Sequence, residues 1–182
     1  MRRLLPAALI FLALGPVPGT VMRFPTDDLT QAASARPLVF PSEETGPMRF
    51  VRGWHLVSPH SRFGGFSALA HTAPGQFLLV GDNGYSTRLS LHSRGAVSSV
   101  RVRALPTIDG RPARKSMADV EAMFVEAASG KVWLALEGIN QIWRLDADLS
   151  KIESRRKLPQ PRWPKNSGPE AMARLADGRT VI

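Results

Sequence analysis

The sequence contains no cysteine, which excludes a disulfide framework and thiol chemistry. It also lacks an apolar run of the ~20 residues that a membrane-spanning helix needs. No block of five or six like charges occurs, although the formal net charge is +9, and the densest basic group is Arg155–Lys157. We therefore expect no nucleic-acid partner and no stable membrane span. The dispersed positive charge is expected to attract small anionic substrates such as phosphate esters.

Glycine and proline are abundant, at 15 residues each. Both residue types favour turns, so this composition predicts many short elements in place of long helices. The hydrophobic share of 43% and the charged share of 21% are typical of a globular chain. A folded domain rich in turns is therefore expected.

The N-terminus has the organisation of a secretory signal. Arg2 and Arg3 precede the apolar run Leu4–Leu14, and a Gly- and Pro-rich segment follows. We therefore predict a signal peptide over residues 1–20 and a periplasmic or secreted protein. An extended N-terminal segment is expected over residues 21–47, and the folded domain over residues 48–182.

An internal repeat of roughly 50 residues organises that domain. Three segments align on Ser67, Glu121 and Glu170. The segments are FSALAHTAPGQFLLVGDNG (Phe66–Gly84), VEAMFVEAASGKVWLALEG (Val120–Gly138) and PEAMARLADGRTVI (Pro169–Ile182). Each places a glycine between two apolar stretches, and this pattern predicts a β-hairpin with a glycine turn.

Two further alternating stretches follow the first two hairpins, which gives four strands in each repeat. They are YSTRLSLHS and AVSSVRVR after the first hairpin, and QIWRLDAD and KIESRRKL after the second. Four strands per repeat are typical of a β-propeller blade. We expect an all-β open arc of about two and a half blades, whose remaining C-terminal blades would lie beyond residue 182. The stretch Met48–Val57 is expected to belong to the closing blade. A β-sandwich of about ten strands is the alternative fold.

The aligned acidic residues predict the site. In a propeller, equivalent positions of successive blades surround one channel, so Glu121 and Glu170 should face each other with Asp119 nearby. Such carboxylates are costly unless they are protonated, paired or bound to a cation, and Ca²⁺ prefers oxygen ligands. Asp119, Glu121 and Glu170 are therefore the candidate catalytic and metal-binding residues. Alternatively they pair with arginines or cap turns. Ser67 lacks the G-x-S-x-G pattern of a nucleophile elbow.

These motifs, in this order and spacing, resemble those of the bacterial phytase-like family, described by the esterase-like activity of phytase. The resemblance covers roughly residues 50–182. It implies an exported propeller, six-bladed when complete, that hydrolyses phosphoric esters with the help of a metal. Residue by residue, the resemblance assigns ligand binding to Asp82, Glu137, Arg144 and Asn166. Two positions depart from the family pattern, with Asn83 where an arginine is usual and Ala122 where a glycine is common.

Three functions are compatible with these features. The first is an ester hydrolase of the phytase-like type, assisted by Ca²⁺. The second is a lactonase-like propeller hydrolase, in which Ca²⁺ polarises a lactone carbonyl. The third is a non-catalytic ligand-binding propeller of the cell envelope, since a fold alone does not determine an activity.

Overall fold

A computed structural model describes residues 30–39, 50–91, 99–108, 117–159 and 167–182. The predicted signal peptide and part of the segment 21–47 lie outside the described residues. The regular elements of the described residues are β-strands. They are β1 (Thr30–Ala32), β2 (Ser34–Leu38), β3 (Gly53–Val57), β4 (Phe66–Ala73), β5 (Gln76–Gly81), β6 (Tyr85–Ser90), β7 (Ser99–Ala104), β8 (Val120–Val125), β9 (Val132–Leu136), β10 (Gln141–Leu145), β11 (Ile152–Lys157), β12 (Ala173–Arg174) and β13 (Thr180–Val181).

Two antiparallel meanders form the body of the fold. Strands β4 to β7 pair in sequence order, and β1 extends this first sheet by pairing with the outer strand β7. Strands β8 to β11 form the second sheet in the same way. The four strands that each repeat predicts are thus confirmed. Several antiparallel sheets in succession are consistent with an arc of propeller-like blades, and the six-bladed ring remains a prediction.

The hairpin turns have the conformation that the sequence requires. Gly75, Gly130 and Gly178 have φ angles of 70°, 68° and 87°. These angles lie in the left-handed region, which residues with a Cβ rarely adopt and glycine enters at little cost. The same turn is therefore encoded by a glycine at the same place in all three repeats.

The main core lies between the two sheets. Leu78 and Val80 of β5 contribute to it from the first sheet, and Leu134 and Leu136 of β9 from the second. The side chains of Leu78 and Leu134 have no solvent exposure. Alternation along each strand directs these residues to one face, so the sheets stack as neighbouring blades do. Burial of each such side chain stabilises the fold by roughly 1.5–3 kcal/mol.

The extended stretch before the first repeat packs on the first sheet, and its place in a closing blade stays a prediction. Its strand β3 pairs with β2 in a separate two-stranded sheet, and Leu56 of β3 packs against the far face of the first sheet. The stretch therefore covers a blade in the described structure, because its apolar side chains fit the face that the second sheet leaves open. Within the described residues, no helix has the length and apolar character to cross a bilayer.

The third repeat forms the predicted hairpin. Strand β12 pairs with β13 through Ala173 and Arg174. Just before β12, Met172 packs against the second sheet at Ala122, Ala135 and Ile142. The chain thus begins its third repeat on the opposite face of the second sheet from the main core.

Candidate functional site

One backbone hydrogen bond recurs in both complete sheets and closes the same end of each. In the first sheet, the amide of Asp82 donates to the carbonyl oxygen of Gly65 at 3.0 Å. In the second, the amide of Glu137 donates to the carbonyl oxygen of Asp119 at 2.9 Å. This bond brings the residue after the second strand of each repeat next to the start of the first strand. Side chains at both positions therefore gather at one end of the sheet.

A β-bulge lies at this end in each sheet. Ser67 is skipped in the pairing of β4 with β5, and Glu121 is skipped in the pairing of β8 with β9. A bulge redirects the side chain of the extra residue and is common next to active sites. The aligned positions of the repeat are thus equivalent in backbone geometry as well as in sequence.

Three carboxylates meet at the end of the second sheet, and we call Asp119, Glu121 and Glu137 the acidic cluster. Each offers one oxygen, and these oxygens all lie within 4.8 Å of one another. All three residues are half-buried. The structure therefore brings two of the predicted metal-binding residues together with Glu137, which the family resemblance had assigned to ligand binding.

The electrostatics of the site act on the carboxyl group of Glu121. Burial raises the pKa of this carboxyl group above its ordinary value of 4.5, and four neighbouring carboxylates raise it further. In order of decreasing effect these neighbours are Asp119, Glu170, Glu137 and Asp82. Like charges disfavour ionisation of a neighbouring carboxyl group, so the pKa reports negative charge converging on Glu121.

Glu170 contributes to this field without joining the acidic cluster. Its side chain is exposed, and it precedes β12 in the third repeat. The negative charge of Glu170 is one of the causes of the raised pKa of Glu121, and the shared channel of the two residues stays a prediction. Asn166 lies outside the described residues.

Asp82 is seated against the loop that precedes the first repeat. A Cβ added at Gly65 would come within 2.7 Å of the Oδ1 atom of Asp82, and the φ angle of Gly65 is +60°. Asn83 holds the same loop, because its Nδ2 atom donates to the carbonyl oxygens of Arg62 at 3.3 Å and Gly64 at 3.4 Å. Its Oδ1 atom accepts from the amide of Tyr85 at 3.1 Å. Asn83 thus has a structural role at the position where the family usually has an arginine.

Arg144 lies away from the acidic cluster. It pairs with Trp133, which precedes Glu137 by four residues, or roughly 13 Å along a strand. Its Nε atom lies 3.1 Å from Glu153 Oε2, and its guanidinium group lies 5.7 Å from the centre of the Trp133 ring. These contacts direct the side chain to the face of the sheet.

The sequence did not predict that the carboxylate of Glu137 lies next to those of Asp119 and Glu121. A signal for it exists, because Asp82 and Glu137 both follow the second strand of their repeat directly. In the register of the hairpin, the residue directly after the second strand lies opposite the start of the first strand. Gly65 and Gly168 lie in motifs that carry the family resemblance, but the sequence does not show which residues they contact, because that depends on packing.

The donor chemistry of the acidic cluster fits a hard divalent cation. Carboxylate oxygens are the ligands that Ca²⁺ takes, at 2.3–2.6 Å, so two ligands of one ion lie up to about 5 Å apart. The oxygens of Asp119, Glu121 and Glu137 meet this limit. A cation would also offset the charge repulsion that raises the pKa of Glu121.

Comparison with known proteins points to one family. A family model described as phytase-like, esterase-like activity of phytase, matches residues 61–182, which is more than half of the chain. No curated protein and no solved structure gives a significant match. The matched range contains both complete repeats, the third hairpin and every residue of the acidic cluster. On this match, together with the repeated strand ends described above, the chain belongs to the phytase-like family.

Proposed function

We propose that this protein is a phosphoric-ester hydrolase whose acidic cluster holds a divalent cation, with Ca²⁺ as the expected ion. The observation that carries the proposal is the meeting of Asp119, Glu121 and Glu137, with oxygens within 4.8 Å of one another, in a chain of the phytase-like family. Oxygen donors at this spacing favour Ca²⁺ over ions that prefer nitrogen or sulfur ligands.

Electrostatics supports the cation as part of the proposal. The acidic cluster and its neighbours Asp82 and Glu170 concentrate negative charge around Glu121. A phosphate ester is an anion, and these carboxylates would repel it. A bound divalent cation would offset two of these negative charges, hold a phosphate oxygen and polarise the phosphoryl group. The excess of basic residues in the whole chain would draw the substrate towards the protein.

We assign different roles to the acidic side chains according to their exposure to solvent. The half-buried carboxylates of Asp119, Glu121 and Glu137 would hold the cation. Glu170 is exposed and stands outside the cluster, yet near enough to act on Glu121. We assign to its carboxylate the acceptance of a proton from the attacking water molecule, while the P–O bond to the alcohol breaks and the alcohol leaves with a proton from solvent.

The test is hydrolysis of a chromogenic phosphomonoester by the full chain, with Ca²⁺, after chelation, and in the variant Glu121→Gln. Both chelation and the substitution should lower kcat/KM about tenfold or more, because even the loss of an outer-shell partner of a metal site costs about 10–100-fold. Asp148→Asn is the matched control, because Asp148 is an exposed acid in the turn between β10 and β11. It should retain full activity.

Each other outcome selects an alternative. Turnover that neither treatment changes would contradict the metal-assisted mechanism. No turnover of any ester, combined with retained ligand binding, would favour the binding propeller. Calcium-dependent opening of a lactone without phosphoester hydrolysis would favour the lactonase-like enzyme.

We further propose that the protein is exported to the periplasm or secreted. Support comes from the charged and apolar pattern of residues 1–20. Mass spectrometry of the mature N-terminus after cell fractionation tests this. A product in the cytoplasmic fraction that retains Arg2 and Arg3 would contradict it.

A further inference from the structure

Gly168 lies so close to Glu137 that no side chain fits between them. A Cβ added at Gly168 would be 2.6 Å from the Cγ atom of Glu137 and 3.1 Å from its Cα and Cβ atoms. The φ angle of Gly168 lies outside the left-handed region, so an alanine could adopt the same backbone conformation. The contact with Glu137, and not the backbone, therefore requires glycine at this position.

The close contact belongs to a segment that packs on the second sheet. Pro169 is buried, and Met172 contacts the cluster of apolar side chains around Ala135. Between them, Glu170 acts electrostatically on Glu121. The segment is thus held at its downstream end by apolar packing, while Gly168 touches the turn after β9. A side chain added at Gly168 would therefore push the side chain of Glu137 out of its position.

Two contacts restrict Glu137 as a result. Its amide is bonded to the carbonyl oxygen of Asp119, and its side chain meets Gly168. The first constraint fixes the backbone of Glu137, and the second limits where its carboxylate can point. In the first sheet, by contrast, the glycine that meets the Asp82 carboxylate is Gly65, which is also the residue that accepts the hydrogen bond of the Asp82 amide.

We propose that Gly168 is a positioning residue of the acidic cluster, which holds the Glu137 carboxylate towards Asp119 and Glu121 for cation binding. This inference rests on the proposed function, because it assigns to Gly168 the placement of one ligand of the cation. The third repeat thereby shapes the site formed by the second repeat.

The primary test is the variant Gly168→Ala, with Ca²⁺ binding measured by titration calorimetry. The Ca²⁺ dissociation constant should rise about tenfold to a hundredfold, the range found when a group that orients a metal ligand is removed. Gly53→Ala is the matched control. A Cβ there would meet only side-chain atoms, at 3.3–3.5 Å, and Gly53 lies in β3. This control should bind Ca²⁺ as the natural protein does.

A double variant separates positioning from general destabilisation. If Gly168 acts through Glu137, then Gly168→Ala should cause little further loss of Ca²⁺ affinity in a Glu137→Ala background. If Gly168→Ala alone does not fold, the double variant should regain folding, because the Cγ atom at 2.6 Å is gone and the remaining approaches to Cα and Cβ, at 3.1 Å, need shifts of only a few tenths of an ångström. Failure of both variants to fold would overturn the proposal.

A second readout needs no cation. Displacement of the Glu137 side chain should change its carboxyl and amide NMR chemical shifts in Gly168→Ala, whereas Gly53→Ala should leave them unchanged. If the natural protein binds no Ca²⁺, the proposed function fails, and these chemical shifts alone decide whether Gly168 positions Glu137. An unchanged Ca²⁺ affinity and unchanged Glu137 chemical shifts in Gly168→Ala would overturn the inference and leave the proposed function standing.

Discussion

The hydroxyl group of Ser67 donates a hydrogen bond to the carbonyl oxygen of Val120 and so joins the two sheets. Ser67 occupies the bulge position at which the second repeat has Glu121. The first repeat therefore uses this position to attach one blade to the next, whereas the second uses it to present a carboxylate. Equivalent backbone positions in a repeat thus carry different functions.

The contact predicts a stabilising role for Ser67. We expect Ser67→Ala to lower the free energy of unfolding by about 1 kcal/mol, because the hydroxyl group is lost from a partly buried hydrogen bond. Ser90→Ala is the control, because its hydroxyl group bonds the side chain of Gln76 at an exposed position within one sheet. Denaturant unfolding of both variants measures the difference. A loss for Ser67→Ala no larger than that of the control would contradict a role in joining the sheets.

Arg144 should prove structural and not part of the site. Its guanidinium group contacts Glu153 and the Trp133 ring, so Arg144→Ala should lower the unfolding temperature by roughly 1–3 °C. The kcat/KM for a phosphomonoester and the affinity for Ca²⁺ should not change. Lys131→Ala is a useful comparison, because Lys131 contacts the same Glu153 oxygen at 2.7 Å. A tenfold loss of turnover in Arg144→Ala but not in Lys131→Ala would show that Arg144 is part of the site.

The fold was predictable because the repeat encodes it locally. Glycine at residues 75, 130 and 178 sets each hairpin turn, and alternating apolar residues assign a face to each strand. The pairing of β3 with β2 was not predictable in this way. It depends on which apolar face remains uncovered, and that is a property of the packed sheets.

The site was predictable where it depends on register and not where it depends on packing across repeats. Asp119 and Glu121 could be found because they align with the starts of the other repeats. The approach of Glu137 to them follows from a backbone hydrogen bond between strand ends. The restriction at Gly168 depends on a contact between two repeats, which no local pattern encodes. Arg144 follows the family motif in sequence, yet its strand position takes it away from the cluster.

Asn83 should control the loop that carries Gly65. Asn83→Asp replaces the Nδ2 donor by an oxygen that faces the carbonyl groups of Arg62 and Gly64, which should destabilise this loop by about 1–3 kcal/mol. The amide of Asp82, which is bonded to Gly65, should then exchange its hydrogen faster.

The amide of Tyr85 provides an internal control for this variant. It donates to Oδ1 of Asn83, an acceptor that aspartate retains, so its protection should persist. Hydrogen exchange measured at both amides separates the two cases. Equal loss of protection at Asp82 and Tyr85 would indicate general unfolding and would contradict the specific role.

The charge of Glu121 should make stability depend on pH in a defined direction. The pKa of Glu121 is raised in the folded state, by burial first and then by Asp119, Glu170, Glu137 and Asp82, so the folded protein binds this proton more tightly than the unfolded chain does. Without a cation, the contribution of Glu121 to stability should therefore fall as pH rises from 4.5 through the raised value, and stay low above it.

Glu121→Gln removes this ionisation and so tests the direction. In the presence of a chelator, the variant should be more stable than the natural protein at neutral pH, by about 1 kcal/mol or less because solvent screens a partly exposed group. Well below pH 4.5 the difference should vanish, because Glu121 is then protonated in both the folded and the unfolded state. Carboxyl groups with lowered pKa values, such as Glu126 and Asp146, are present in both proteins and cancel in the comparison.

Saturating Ca²⁺ should reverse the order at neutral pH. A cation that binds only the folded state stabilises it in proportion to its affinity, and the natural protein has the additional carboxylate ligand. Thermal unfolding of both proteins between pH 4 and pH 8, with chelator and with Ca²⁺, gives four curves to compare. If the variant is less stable than the natural protein under every condition, then the charge of the half-buried Glu121 does not destabilise the cation-free protein. If Ca²⁺ leaves both proteins unchanged, the acidic cluster does not bind this ion.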